Sequence, residues 1–225
     1  MKIILSLVLL TALACAGCAR KESPISQPTE VLEVSEQSHS APSSESSTMV
    51  AEVSVAEAQN AFERTLELQG FVFHVLSGNN SSINTLTITV SGLDAEISPI
   101  MQEVDGIVTG AEVGDLDANG EPEIYVYVNS VGSGSYGSLM AHAVNSRRSV
   151  TPIYLPPLTD NPEVVTGYMG HDEFAVGEGR LLQRFPIYHS GDTNSNPTGG
   201  TRQLQHQLVA GEAGWILRID QIVEY

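Results

Sequence analysis

The clearest regularity in the chain is alternation of apolar and polar residues in short runs. Thr85-Leu86-Thr87-Ile88-Thr89-Val90 puts its threonines on one face and Leu86, Ile88 and Val90 on the other. That is the period-two pattern of a strand with one buried face. Gly70-Phe71-Val72-Phe73-His74-Val75-Leu76 is β-rich and stops at Gly78-Asn79-Asn80, which predicts a hairpin loop over residues 79–84. Residues 107–113 suggest another strand, and Asp117-Ala118-Asn119-Gly120 a turn before Ile124-Tyr125-Val126-Tyr127-Val128. In that run Ile124, Val126 and Val128 share a face and Tyr125 and Tyr127 the other, and bulk on both faces predicts a central strand. Residues 138–144 read as its return strand. Later strands are expected at 173–176, 181–188, 203–209 and 215–223, with Gly211-Glu212-Ala213-Gly214 as the last hairpin turn. Residues 53–67, rich in Ala, Glu and Gln, read as the start of a short helix. Short strands between Gly, Pro and Asn turns predict an all-β, mainly antiparallel domain, a β-sandwich or a related sheet stack. No βαβ alternation is visible, which argues against nucleotide-binding α/β folds. Pro156-Pro157 marks a loop, residues 192–200 form a long polar connection or a second contact loop, and the sole tryptophan, Trp215, is assigned to core packing.

Before the domain the pattern changes. Met1-Lys2 precedes an apolar run over 3–14, too short to span a bilayer, and then the small residues Ala14-Cys15-Ala16-Gly17-Cys18. This is the plan of a signal peptide. Ala16-Gly17-Cys18 resembles the end of a bacterial lipobox, with Cys15 where Leu is most usual. That resemblance implies an acylated Cys18 as the first mature residue and the only lipid anchor, stably held by its acyl chains. Ala19 behind it resembles Gram-negative lipoproteins sorted to the outer membrane. Both cysteines lie in this region, so the exported part carries no intrachain disulfide. From Ala19 to about residue 53 Ser, Glu, Pro and Gln dominate without one aromatic, the composition of a flexible tether. The expected division is a signal peptide at 1–17, a tether at 18–53 and one β domain at 54–225.

Charge narrows the partners. The chain has 27 acidic and 10 basic residues, a net charge of −17, and no lysine after Lys21. Such a surface does not bind nucleic acid or an anionic lipid surface by charge, and it attracts a cationic protein. Solubility alone is the plainer account of the same acidity.

Within this acidic chain, residues 124–146 contain no Asp, Glu, Lys or Arg. At their centre lies Gly132-Ser133-Gly134-Ser135-Tyr136, two hydroxyls and a phenol on a glycine-rich backbone. Ser133 and Tyr136, three apart in a tight turn, can point outward together, and their hydroxyls can donate to a carboxylate. Spacing alone also fits an ordinary Gly-Ser hairpin loop. A second constellation, Asp115, Asp117, Asn119 and Glu123, has the spacing of a short calcium loop. The twelfth position from Asp115 is Val126, so the EF-hand pattern fails, and Ala-Asn-Gly-Glu is a good hairpin turn by itself; no metal site is assigned. Catalytic patterns are weak. Neither Ser133 nor Ser135 sits in Gly-x-Ser-x-Gly, and no H-E-x-x-H or cysteine cluster exists. His171-Asp172-Glu173 on one strand would point to opposite faces, and His74 and His142, within strand patterns, are read as structural or surface residues. No enzyme activity and no cofactor are expected.

An ordered set of segments resembles the periplasmic inhibitors of invertebrate-type (i-type) lysozyme. It runs from Asp115-Leu116-Asp117-Ala118-Asn119-Gly120-Glu121-Pro122-Glu123 into Ile124-Tyr125-Val126-Tyr127, then Ser133-Gly134-Ser135-Tyr136. Gly170-His171-Asp172-Glu173-Phe174, Arg184-Phe185-Pro186-Ile187-Tyr188 and Pro197-Thr198-Gly199-Gly200 look like the same group, so the likeness covers about residues 60–225. The resemblance implies a β-sandwich inhibitor, often dimeric, that pushes the loop Ser133, Gly134, Ser135, Tyr136 into a lysozyme cleft. Ser133 and Tyr136 match the family's key loop positions. Lysozymes cleave with paired carboxyl groups, which these hydroxyls suit. Two alternatives stay open: a calcium-stabilised envelope binding module, and a structural lipoprotein that binds peptidoglycan directly.

Overall fold

The computed structural model describes residues 60–225. The expected signal peptide, the Cys18 anchor, the tether and the first part of the expected helix lie outside the described residues. Among those described, the strands are β1 (Phe62–Leu68), β2 (Phe71–Ser77), β3 (Ile83–Ser91), β4 (Ile100–Asp105), β5 (Ile107–Gly114) and β6 (Glu123–Asn129). There follow β7 (Gly137–Asn145), β8 (Ser149–Tyr154), β9 (Glu173–Gly177), β10 (Arg180–Pro186), β11 (Thr201–Ala210) and β12 (Trp215–Glu224). A 3-10 turn at Leu158–Asp160 and a four-residue helix α1 (Pro162–Val165) sit between β8 and β9.

The strand patterns are realised within one or two residues, and the helix expected over 53–67 is corrected from Phe62 onward, Asn60 being helical. Residues 62–67 belong to β1, which pairs along its whole length with β2. The reason is the turn between them. Gln69 and Gly70 both have positive φ, 53° and 81°, and Leu68 faces Phe71 across the ladder. This is the two-residue turn whose twist matches a hairpin. Tertiary pairing overrides the helix preference of Glu and Leu.

The strands form two sheets. β1-β2-β3-β4 is an antiparallel meander, and the second sheet runs β5-β6-β7-β8-β12-β11-β10-β9. All its pairs are antiparallel except β8 with β12, which run parallel and meet only at Trp215 with Ile153 and Ile216 with Tyr154. The larger sheet curls until its edges approach. The Glu112 carboxylate on β5 accepts the Val176 amide of β9 at 2.7 Å and the Tyr127 hydroxyl at 2.5 Å. The result is a mostly antiparallel all-β domain with a nearly closed eight-stranded barrel sheet and a smaller four-stranded one.

β6 shows why its residues alternate as they do. Ile124, Val126 and Val128 join Phe71, Phe73 and Ile88 in the core beneath the small sheet. Tyr125 and Tyr127 point the other way, into the barrel with Ala141, Ala143, Leu181 and Leu217. Tyr125 lies opposite Ala141 and Glu123 opposite Ala143, large against small. A third cluster, Val164, Phe185 and Leu204, holds the α1 segment against β10 and β11, on the same face of those strands as Leu181 and Leu208. Arg202 reinforces it: 6 % exposed, it donates to the carbonyls of Val164 and Thr166 and pairs with Glu224.

Candidate functional site

The segment 130–136 connects β6 to β7 and closes with short-range bonds of its own. The Ser130 amide donates to the Tyr136 carbonyl at 2.9 Å, the Ser135 amide to the Gly132 carbonyl at 3.0 Å, and the Tyr136 amide to Ser130 Oγ at 3.0 Å. Val131, Gly132, Ser133 and Tyr136 are exposed, Tyr136 by 49 %, while Gly134 and Ser135 are half-buried. Among the described residues the loop's bonds are made by its backbone and by Ser130, so the Ser133 and Tyr136 hydroxyls face solvent without partners. The four sequence-derived loop residues therefore stand together, with Ser133 and Tyr136 outermost and Gly134 and Ser135 turned inward.

The loop is braced from behind by two distant segments. The His171 amide donates to the Gly134 carbonyl at 2.8 Å, and the Asn194 side-chain amide donates to the Ser133 carbonyl. His171 and Asn194 also bond each other, Nε2 to Oδ1, at 3.2 Å, and the Tyr188 hydroxyl donates to the Asn194 carbonyl at 2.9 Å. The approach is so close that only glycine fits. A Cβ on Gly170, at φ +90°, would stand 2.1 Å from the Gly134 carbonyl oxygen. Tyr136 leans on Tyr168 edge to face, with centroids 5.7 Å apart, and Tyr168 rests in the same way on Phe185 at 4.8 Å.

Under this brace lies a buried polar chain. Asp172 accepts from the Gly137 amide at 2.9 Å, the Tyr168 hydroxyl at 2.6 Å and the Gln183 side-chain amide at 2.8 Å. Burial, and then the Asp172 carboxylate, push the Tyr168 phenol up, which keeps it a donor. Gln183 Oε1 lies 3.2 Å from His206 Nε2. An amide oxygen only accepts, so His206 carries its proton on Nε2, and its Nδ1 lone pair is without a partner. Burial holds His206 down at about 4, so it is neutral at pH 7. The strand expected from Glu173 does begin there as β9, so His171 and Asp172 precede it instead of alternating along it, and His171 has φ +60°. Asp172 is thus free to turn inward while Glu173 faces solvent.

The acidic constellation sits in the β5–β6 connection. Asp115, Asp117 and Glu123 each bring an oxygen within 4.8 Å of the others. Those oxygens already organise the turn. Asp115 accepts from the amides of Asn119 and Gly120 and from Gln69 Nε2, and Asp117 from Asn119. Asn119 does not point a ligand inward; its Oδ1 accepts the Glu121 amide at 2.7 Å. Glu123, 1 % exposed, accepts from the Leu116 amide at 2.9 Å and the Tyr125 hydroxyl at 3.2 Å. Burial, aided by the Asp117 and Asp115 charges, pushes its carboxyl up to about 7 against the Leu116 and Tyr125 bonds.

Sequence reasoning found the outward residues and missed those that hold them. Asp172, Tyr168, Gln183 and Asn194 carry no local signal of this role. The glycines were the available clue, since Gly134 and Gly170 mark a close approach of two backbones. Compared with protein-family models, with curated proteins and with solved structures, the chain gives no match in any of the three.

Proposed function

We propose that this protein is a proteinaceous inhibitor of lysozyme, with the i-type enzyme as its target. One observation carries the reading: an exposed, charge-free, backbone-braced loop offers the Ser133 and Tyr136 hydroxyls to solvent on a strongly acidic chain. Ser133 and Tyr136 donate to the paired carboxyl groups of a glycosidase cleft while the Gly134 and Ser135 backbone fills the sugar path. The loop brings no acid to repel those carboxyls. Acidic surroundings steer a cationic enzyme toward it, and a braced tyrosine serves as a rigid anchor at low entropic cost.

In this reading the four-stranded sheet facing β5 to β7 is the sandwich layer of an inhibitor domain at 54–225. Cys18 anchors the chain to the outer membrane on the periplasmic side through the 18–53 tether, and the protein does no chemistry of its own. The test is lysis of a peptidoglycan suspension by i-type lysozyme with and without the purified protein, beside chicken-type and goose-type enzymes. Selective protection against the i-type enzyme is the expected result. Absence of protection against all three refutes the reading. Binding to peptidoglycan without lysozyme favours the structural-lipoprotein alternative.

The calcium-stabilised module remains a second reading because Asp115, Asp117 and Glu123 converge. Against it, amides of the turn already occupy the Asp115 and Asp117 oxygens. Calorimetric titration with calcium separates the two: heat of binding together with loss of thermal stability on chelation favours the module.

A further inference from the structure

One carboxylate beneath the loop touches both things that aim Tyr136. Asp172 Oδ2 accepts the amide of Gly137, the residue directly after Tyr136, and the hydroxyl of Tyr168, the ring on which Tyr136 leans. Its Oδ1 accepts Gln183 Nε2, and Gln183 is itself held by His206. The fit at Gly137 is tight, since a Cβ there would stand 2.5 Å from Asp172 Cβ. Asp172 is 4 % exposed, so water does not compete for these bonds, and each counts for more than it would at the surface.

We infer that Asp172 is the positioning residue of the recognition loop, fixing through Gly137 and Tyr168 the direction in which Tyr136 leaves the domain. The inference rests on the reading of the loop as the recognition element. Its physical content is that three donors converge on one acceptor-only group. A carboxylate has lone pairs for all three. A loop held in this way reaches its target already ordered, so binding does not bear the cost of freezing it. A purely structural Asp172 would support the β9–β10 region without selecting one conformation of residues 131–137.

The test replaces Asp172→Asn, which keeps shape but leaves a single acceptor oxygen for three donors. Two-dimensional amide NMR of the purified protein reads the result. The Gly137 amide proton is expected to move upfield as its charged acceptor is lost. The bonded amides of Ser135, Tyr136 and Gly137 exchange about tenfold faster, the effect of losing one buried bond, while those of β11 and β12 keep their wild-type positions. Tyr168→Phe keeps the ring and removes only its hydroxyl; it shifts the Tyr136 signals and carries the test if the Asn variant does not fold. Each variant also weakens lysozyme inhibition although Ser133 and Tyr136 are intact.

Wild-type spectra and exchange over 131–137 in the folded variants overturn the inference, whatever the inhibition shows. A wild-type protein that fails to inhibit lysozyme sinks the functional reading instead, and the spectra still decide whether Asp172 positions the loop.

Discussion

Glu123 and His206 are both closed off from water, and burial moves them in opposite directions: Glu123 up to about 7 from 4.5, His206 down to about 4 from 6.5. For Glu123, between 4.5 and 7 the native chain keeps a proton that the unfolded chain has released. Its contribution is full below 4.5 and is lost as pH rises through 7. For His206, between 6.5 and 4 the unfolded chain takes up a proton that the native chain refuses. Its contribution is full above 6.5 and is lost as pH falls through 4. From 4.5 to 6.5 the two slopes oppose each other at about 1.4 kcal/mol per pH unit and largely cancel. His142, also lowered by burial, adds to the rising side.

Glu123→Gln removes one slope and leaves an oxygen to accept the Leu116 amide and the Tyr125 hydroxyl. Relative to wild type, the variant should gain about 3 kcal/mol of stability between pH 4.5 and 7. The assay is urea unfolding followed by the fluorescence of Trp215, whose indole is tied to Asn145 at 2.9 Å, at pH steps across that window with a chelator present. Parallel stability profiles for wild type and variant would refute the assignment of a protonated buried Glu123.

Three other outcomes follow from the geometry. Replacing Ser133 and Tyr136 together by Ala should raise the inhibition constant at least about tenfold, equivalent to about 1.4 kcal/mol, with the urea midpoint unchanged; full inhibition by the folded double variant contradicts the loop assignment. Gly170→Ala puts a Cβ into the Gly134 carbonyl at a φ that favours glycine, so inhibition should fall although no exposed loop residue has changed, and wild-type inhibition would show that the brace is dispensable. Arg202→Met leaves the Val164 and Thr166 carbonyls without their donor and should cost about 2–4 kcal/mol in urea unfolding. Cleavage by added protease should then begin within residues 158–168, and a loss below about 0.5 kcal/mol counts against that role.

Strands whose two faces differ chemically were legible in the sequence. The alternation in β3 and the two-sided bulk of β6 each predicted the faces now seen in the cores. β4 was not legible, because four of its six residues, Met101, Gln102, Glu103 and Asp105, are exposed polar or flexible ones and it is a sheet edge. β8 was hidden by Pro152. That proline is tolerated because β12 joins β8 only from Ile153 onward, leaving an open side. At the candidate site the split is one of range. Ser133 and Tyr136 lie in one short segment, so composition singles them out. Asp172 is 35 residues from the Gly137 amide it accepts, and Asn194 is 61 from Ser133. No local pattern pairs groups so far apart, and an acid beside a histidine looks like chemistry until the backbone places it.

The short parallel pairing of β8 with β12 also constrains the order in which the fold can assemble. The final strand does not cap an edge; it is the keystone between β8 and β11. Until residues 215–224 are available, the two halves of the large sheet, β5 to β8 and β9 to β11, have no ladder between them. Loop closure over such a separation is slow, and it concentrates the decisive contacts late in folding. The asymmetry between the termini is therefore large. The small sheet is a meander that can form from consecutive hairpins, whereas the large sheet becomes continuous only once Trp215 and Ile216 reach Ile153 and Tyr154.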